Sequence, residues 1–379
     1  MDTVNNDPLA GETALAPVAE TRRWWPYLDL CRILAIFCVI LIHLVAYPWQ
    51  ITPIDSEDWR ILNIYAGATR WCVPLFVMVS GALFLVPEKE LSLGRLYARY
   101  IPRFAVALLF WSGLFYLIQH YNVRSFADFM NVDKRELVLN ILRGHPWHHW
   151  FIFMIAGIFI MLPILKRIAG DRNVCRYYLI LWFVLQGVVP MLPNLLSAVN
   201  EPNRLVADAV GLLAFYNERL LPSLVVGYPG YFLLGYYLHT SSISPRARWL
   251  VTALGVLGIV YTIKLTAIAS LKGGAPTAIY QDALFANSGL PAAAIMINAK
   301  RFIPRVFRGS RLLATVSAAS FGVFLTHGLV SYALERNGLR IESFPVSWGV
   351  PLIVMAIYAI SLAIALLIRK VPVVREYIT

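Results

Sequence analysis

The chain has 379 residues, of which 59% are hydrophobic and only 14% are charged. Soluble proteins carry roughly 25% charged residues, so this composition excludes an ordinary water-soluble enzyme. The mean hydropathy of +0.65 and apolar blocks long enough to cross a hydrocarbon core of about 30 Å predict a protein built from membrane helices. The net charge of +12 comes from basic residues scattered between apolar blocks, a pattern typical of cytoplasmic loops and not of a nucleic-acid-binding surface.

The order of polar and apolar blocks predicts an all-α, polytopic integral membrane protein with both termini in the cytoplasm. A polar cytoplasmic tail, 1–27, ends in an Arg-Arg-Trp-Trp run at 22–25 that suits the inner headgroup layer. A membrane domain, 28–368, and a second cytoplasmic tail, 369–379, follow. We predict ten helices in the membrane domain, over residues 28–49, 65–86, 103–121, 148–166, 176–195, 222–240, 248–268, 280–298, 312–333 and 346–368.

The distribution of basic residues supports this orientation. With ten crossings, the connections after the second, fourth, sixth and eighth helices lie inside, and these connections are short and basic, as the positive-inside rule requires. The connections 122–147 and 196–221, on the outside, are longer and richer in acidic residues. The chain has no internal repeat, which argues against an inverted-repeat transporter.

The first predicted helix carries the densest polar signal. Asp29 and Arg32 lie near its inner end and His43 in its outer half. Eleven steps of about 100° bring His43 back to within roughly 20° of Arg32, about 16 Å further along the axis. A purely structural interpretation treats Asp29 and Arg32 as an interfacial ion pair and His43 as a packing residue that forms a hydrogen bond to a neighbouring helix. Because an intramembrane ionisable group costs at least about 2.5 kcal/mol, we favour a function: His43 as general base and Arg32 as a phosphate ligand.

Two other segments carry imidazoles or indoles. Ser320 and His327 share a face of the ninth predicted helix, at a depth similar to that of His43; packing between membrane helices is the alternative role. The fourth helix opens with a cluster of histidines and tryptophans in which Trp147 or Trp150 could stack on a sugar, although an aromatic belt also explains them. No carboxylate or cysteine lies at helical ligand spacing in this cluster, so we predict no metal site.

Three arginines open the third helix at intervals of four residues. Arg95, Arg99 and Arg103 would form one basic helical face at the cytoplasmic surface. One explanation is the positive-inside rule, by which basic residues accumulate on the cytoplasmic side of membrane helices. The alternative is that the three arginines bind the phosphates of a nucleotide-like donor.

At these residues the chain resembles the integral-membrane acyltransferase family 3, ten-helix O-acyltransferases that modify bacterial surface glycans. The resemblance covers nearly the whole chain. Within the family, the chain looks most like the compact branch that O-acetylates lipid-linked or growing polysaccharide, such as enterobacterial common antigen. The matching pieces are Asp29 to Arg32 followed by His43, Val73 to Gly81, His149 to Phe153 with Leu162 and Pro163, and Ser320 to His327.

The resemblance implies a function and roles for residues. Acetyl-CoA would be a cytoplasmic co-substrate, with no permanently bound cofactor, and a hydroxyl of a polysaccharide or lipid-linked glycan would accept the acyl group in the bacterial inner membrane. We expect His43, Arg32 and His327 to be catalytic. We expect donor binding by Arg99, Arg103 and Asp29, and acceptor binding by His149, Trp150 and Trp147.

Several alternatives stay open from the sequence. Many family members carry two arginines separated by two residues at the start of the third helix, whereas three residues separate Arg99 from Arg103. A transporter or flippase for a lipid-linked glycan would also need a line of polar side chains across the membrane and aromatic side chains on which sugars can stack. The acceptor sugar and its acetylated position, the choice of acetyl over a longer acyl group, the choice between direct transfer and an acyl-enzyme relay, and the choice between a monomer and a homo-oligomer are undecided. The predicted partners include membrane lipids and exclude nucleic acid.

Overall fold

The computed structural model describes residues 24–87, 92–119, 132–143, 147–199, 226–303 and 310–372, together with the single positions 128, 130, 208, 209, 211 and 212. Within these residues, every regular element is a helix. Most of the two predicted cytoplasmic tails lies outside the described residues.

Two π-helical turns interrupt the regular α-geometry, at Leu96–Tyr100 inside α4 and at Phe183–Val188 after α8. The α-helices, numbered in chain order, are α1 (Pro26–Ile51), α2 (Glu57–Ala68), α3 (Cys72–Phe84), α4 (Leu93–Gln119), α5 (Lys134–Arg143), α6 (Trp150–Ile160), α7 (Leu162–Gly170), α8 (Arg172–Trp182), α9 (Met191–Val199), α10 (Pro229–Thr240), α11 (Pro245–Gly273), α12 (Ala286–Phe302), α13 (Arg311–Ala318), α14 (Ser320–Arg336) and α15 (Val346–Ile368).

Local chemistry explains several helix ends. Pro26 occupies the first turn of α1. A backbone N–H at this position would have no partner within the helix, so proline, which lacks an N–H, fits there without loss of a hydrogen bond. The Ser56 hydroxyl accepts a hydrogen bond from the Trp59 backbone N–H and caps α2. Gly274 ends α11 in the left-handed conformation, with φ of 72°, which glycine adopts without a steric penalty.

The helix lengths agree with a multi-pass membrane protein. Among the described residues, six helical stretches are long and apolar enough to cross a membrane, and two bent helix pairs raise this number to eight if each pair is one crossing. The other two predicted spans coincide with α10 and α12, of 12 and 17 residues, shorter than the roughly 20 residues of a typical crossing. The third stretch, Leu93–Gln119, begins before its predicted start at residue 103.

Two of the predicted spans are broken where we expected continuous helices. The fourth bends by 57° between α6 and α7, and the ninth bends by 56° between α13 and α14. Pro163 follows the first break within the opening turn of α7, where a residue without an N–H donor favours a new helix start. The second break falls at Ala319, between α13 and α14, and both helices contribute residues to the site described below.

The helix α1 occupies the centre of the bundle. It packs against α2, α3, α12, α13, α14 and α15. Its fully buried side chains include Leu28, Ala35, Ile36 and Val45, which belong to the main hydrophobic core. The polar residues of α1 are therefore surrounded by protein on several sides.

Helices α3 and α10 cross at close range through glycine. A Cβ added to Gly81 would lie 1.8 Å from the carbonyl oxygen of Phe232, and one added to Gly235 would lie 1.9 Å from that of Met78. Backbone atoms cannot move aside as a flexible side chain can. Gly81 and Gly235 therefore set the distance between these helices.

We predict that Gly81→Ala separates α3 from α10 and lowers the free energy of unfolding by about 1–3 kcal/mol or more. Gly157→Ala in α6 is the matched control, because no atom lies within 4 Å of a Cβ added there. Thermal unfolding of the two variants in the same detergent measures the difference. Equal melting temperatures would show that the crossing tolerates a methyl group.

Candidate active site

A cavity of about 300 Å³ lies beside the outer half of α1, as the predicted orientation has it. Its walls come from α1, the turn from α2 to α3, the first turns of α3, the start of α6 with the residues just before it, the loop before α12, and α14. Polar and aromatic side chains both face it. The polar lining residues are His43, Gln50, Arg70, His148 and Gln281, and the aromatic ones are Trp49, Phe76, Trp150, Phe151 and Phe324.

Three imidazole rings meet at this cavity from distant parts of the chain. The ring centroids of His43 and His327 are 5.2 Å apart, those of His43 and His148 are 5.4 Å apart, and those of His148 and His327 are 4.9 Å apart. His43 and His148 line the cavity, whereas His327 is buried behind them. In the described parts of the chain, no group of three or more His, Cys, Asp or Glu side chains has the geometry to hold a metal ion.

The position of the proton on His327 follows from one hydrogen bond. Its Nδ1 lies 2.6 Å from the carbonyl oxygen of Phe324. Because a carbonyl oxygen can only accept, Nδ1 carries the hydrogen and the neutral ring keeps a lone pair on Nε2. The Nε2 atom is buried and has no hydrogen-bond partner among the described residues. This nitrogen can therefore accept a hydrogen bond from a group that enters the cluster.

A second polar cluster lies at the amino-terminal end of α1. The Ser317 hydroxyl donates to Oδ1 of Asp29 at 2.5 Å, and Nη1 of Arg32 donates to the same hydroxyl oxygen at 3.4 Å. The indole N–H of Trp24 donates to the other carboxylate oxygen of Asp29. Ser317 of α13 therefore joins the carboxylate and the guanidinium.

The face of α1 that carries Arg32 and His43 meets a single bent pair of helices. Arg32 contacts Ser317 in α13, and His43 contacts His327 in α14. The eleven-residue spacing in the sequence therefore corresponds to one face in the structure. About 16 Å of helix separates the two side chains along the axis.

The structure places the arginines of the third span differently from one another. Arg95 and Arg99 are exposed, whereas Arg103 is half-buried with its guanidinium carbon 5.6 Å from the centroid of the Phe321 ring. The π-helical turn Leu96–Tyr100 separates Arg95 from Arg103 and changes the rotation per residue along this stretch. Arg103 consequently lies near the α13–α14 bend, whose other side holds the Asp29, Ser317 and Arg32 cluster.

The residues expected to bind the acceptor take different positions. Trp150 lines the cavity, is 38% exposed, and lies with its ring 5.6 Å from that of Tyr228. His149 does not line the cavity; it is fully buried, and its Nδ1 lies 3.0 Å from the hydroxyl of Ser112 in α4. The side chain of Trp147 lies outside the described residues.

Three residues of the cavity had no role in the sequence-based prediction. Arg70 is an intramembrane arginine within the predicted span 65–86, so its signal was present in the sequence. His148 was one of a histidine cluster, and only the fold shows that it, and not His149, faces His43. Gln281 gives no signal, because a glutamine near a helix end is an ordinary residue.

Comparison with known proteins gives one match. The family model described as an acyltransferase domain, of acyltransferase family 3, matches residues 25–370. No curated protein and no solved structure matches the chain.

Removal of the Ser317 hydroxyl tests the inner cluster. We expect Ser317→Ala to lower the free energy of unfolding by about 1–3 kcal/mol, because it leaves a carboxylate and a guanidinium without their shared partner. Ser320→Ala is the control from the same bend: its buried hydroxyl has no hydrogen-bond partner among the described residues. We expect the control to be neutral or stabilising in thermal unfolding, and a larger loss from Ser320→Ala would contradict the assignment.

Proposed function

We propose that this chain, which belongs to acyltransferase family 3 and is a membrane acyltransferase, moves an acetyl group from acetyl-CoA to a hydroxyl of a cell-surface or lipid-linked polysaccharide. The location would be the bacterial inner membrane. The observation that carries the proposal is the position of His43 on the wall of a cavity, within a cluster of three imidazoles.

The acyl transfer itself needs a base and a way to return the proton. The neutral imidazole of His43 would take the proton from the acceptor hydroxyl while its oxygen attacks the thioester carbonyl carbon. The new C–O bond forms, the C–S bond breaks, and the imidazolium returns its proton to the departing thiolate of coenzyme A. Because aromatic and apolar side chains form most of the wall, few water molecules would compete with the hydroxyl.

His327 would support this step from behind His43. Its Nδ1–H is held by the Phe324 carbonyl, so its Nε2 presents a lone pair towards the imidazole cluster. A neutral ring with a fixed tautomer can orient a neighbouring imidazole or accept a hydrogen bond from the hydroxyl. We assign His327 this positioning role.

The donor would enter from the opposite end of the α1 face. Its phosphates would lie near Arg103, Arg99 and Arg32, where guanidinium groups offer paired donors to phosphate oxygens. Asp29 would hold Arg32 in place through Ser317. The pantetheine arm would then extend along α1 for about 16 Å to bring the thioester to His43.

The acceptor would enter the cavity from the outer side. Trp150 lies on the wall with its ring partly exposed, and an indole face can stack on the apolar face of a sugar ring. A volume of about 300 Å³ lies at the lower end of the range of small-molecule sites, which suits one sugar residue of a longer glycan.

The first test uses purified protein in liposomes with labelled acetyl-CoA and the glycan of the producing cell. We expect label to move to the glycan, and His43→Gln to reduce the rate by at least about a hundredfold, since a general base contributes that much or more. A pure transporter would move glycan across the bilayer without labelling it.

His239→Gln is the matched control for this variant. His239 is also a buried histidine, but it contacts the hydroxyl of Tyr27 at 2.5 Å and does not line the cavity. We expect this variant to keep its activity at equal protein accumulation. Near-normal transfer by His43→Gln would remove the central residue of the mechanism.

The second test concerns the donor. Arg103→Gln should raise the KM for acetyl-CoA about tenfold or more, because hydrogen bonds to a charged phosphate are lost, and leave the KM for the glycan unchanged. Arg246→Gln, an exposed arginine at the start of α11, removes a charge from the same predicted surface and should have no such effect. An equal response of both variants would show that these arginines act only through surface charge.

A further inference from the structure

The cavity beside His43 contains a guanidinium without an acidic neighbour on the wall that the described residues form. Arg70 lies in the turn between α2 and α3, and none of the described residues that line the cavity is an aspartate or a glutamate. The Nε atom of Arg70 is buried and has no hydrogen-bond partner among the described residues. An arginine side chain is charged at any physiological pH. The cavity therefore holds a permanent positive charge.

The same cavity contains an amide whose hydrogen-bonding groups are both unused. Gln281 is 4% exposed, and neither its side-chain oxygen nor its side-chain nitrogen has a hydrogen-bond partner in the part of the chain that the structure describes. Its backbone N–H donates to the Ala278 carbonyl at 2.8 Å, so the loop that carries it has a fixed turn. The nearby Asn287, in contrast, donates to the Thr262 hydroxyl and the Tyr280 carbonyl.

These two groups are costly for the folded protein and useful for a ligand. A buried polar group without a partner destabilises the fold, and a buried charge without a counter-ion does so more strongly. A sugar hydroxyl both donates and accepts, so two neighbouring hydroxyls would satisfy the oxygen and the nitrogen of Gln281. A carboxylate or phosphate would satisfy the guanidinium of Arg70 through paired hydrogen bonds.

We propose that this cavity recognises an anionic sugar: the acceptor residue carries a carboxylate or a phosphate that binds Arg70, while Gln281 binds hydroxyls of the same sugar. The proposal deepens the proposed function and rests on it. It assigns Arg70 and Gln281 as the residues that determine acceptor specificity.

The charge of Arg70 favours an anion in the bound substrate over one formed only during the reaction. The guanidinium is charged throughout the catalytic cycle, and a bound sugar displaces the water that solvates it. A neutral sugar would leave that charge without a counter-ion for the whole lifetime of the complex. When His43 accepts a proton, the negative charge that develops on the reacting oxygen balances the imidazolium, so the positive charge of Arg70 still needs an anion of the bound sugar as its counter-ion.

The location of the two residues separates them from the donor phosphates. Arg70 and Gln281 line the same cavity as His43, whereas Arg32 and Ser317 lie about 16 Å away along α1. In the proposed mechanism only the acetyl thioester reaches His43. The anion that meets Arg70 must then belong to the acceptor.

The acceptor glycan itself provides the decisive experiment. Glycan from cells that lack the protein is purified and used as acceptor in three forms: untreated, with its carboxylates reduced to alcohols, and with its phosphates removed by phosphatase. We expect one of the two treatments to lower transfer at least about tenfold, and its identity distinguishes a uronate from a phosphosugar. If the untreated glycan is acetylated and neither treatment lowers transfer, the proposal is wrong. If no form is acetylated, the proposed function fails first.

Variants of Arg70 connect the charge of the sugar to this side chain. Arg70→Gln should raise the KM for untreated glycan about tenfold or more and have a much smaller effect on transfer to the neutralised form. Arg60→Gln is the control, because Arg60 lies on α2 with its side chain exposed. A rise in the KM for acetyl-CoA in place of the glycan would assign Arg70 to the donor and overturn the proposal.

Gln281→Leu separates binding from folding. This change removes two unsatisfied polar atoms at similar volume, so we expect an unchanged or higher melting temperature together with a KM for the glycan that is about tenfold higher. A structural role for Gln281 would instead lower the melting temperature and leave the KM unchanged. That result would remove Gln281 from the acceptor site.

Discussion

The whole arrangement depends on the cost of placing polar groups in a hydrocarbon environment. Helix α1 carries a carboxylate, a guanidinium and an imidazole on one face, and each must meet protein or a water-filled cavity. The bent pair α13 and α14 provides this at both ends, with Ser317 between Asp29 and Arg32 and with His327 beside His43. A straight helix would continue in one direction from Ser317, so the 56° bend at Ala319 decides which residues of α14 reach the carboxyl-terminal half of α1.

Hydrophobicity was sufficient to locate most helices, because a run of about 20 apolar residues has few alternatives to a membrane helix. It could not locate the bends at Met161 and Ala319, since the residues around both bends are as apolar as those of continuous helices. It also placed the start of the third span ten residues late, because the arginines before residue 103 read as a loop. In the structure they belong to the helix and pass through a π-helical turn.

The candidate site was predictable where one helix alone determines the geometry. The spacing of Arg32 and His43 places both on one face whatever surrounds α1. The identity of the partners depends on contacts between distant segments, and here the sequence was less informative. Nothing local distinguishes His148, whose ring lies 5.4 Å from that of His43, from His149, which contacts Ser112. Gln281 is recognisable only because the folded chain leaves its amide without a partner.

The two ends of the α1 face differ in charge, and this difference bears on how the substrates divide the site. At the amino-terminal end, Asp29 lies against Arg32 through a shared hydroxyl, so the pair is nearly neutral as a unit. In the proposed mechanism, attraction of the donor phosphates would then come mainly from Arg99 and Arg103. At the carboxyl-terminal end, no acidic side chain of the described residues lines the cavity that contains Arg70, so a positive potential persists there. In the proposed mechanism the donor delivers only a neutral acetyl thioester to His43, so this potential would act on the acceptor, and the charge of the sugar would be the simplest basis for its selection.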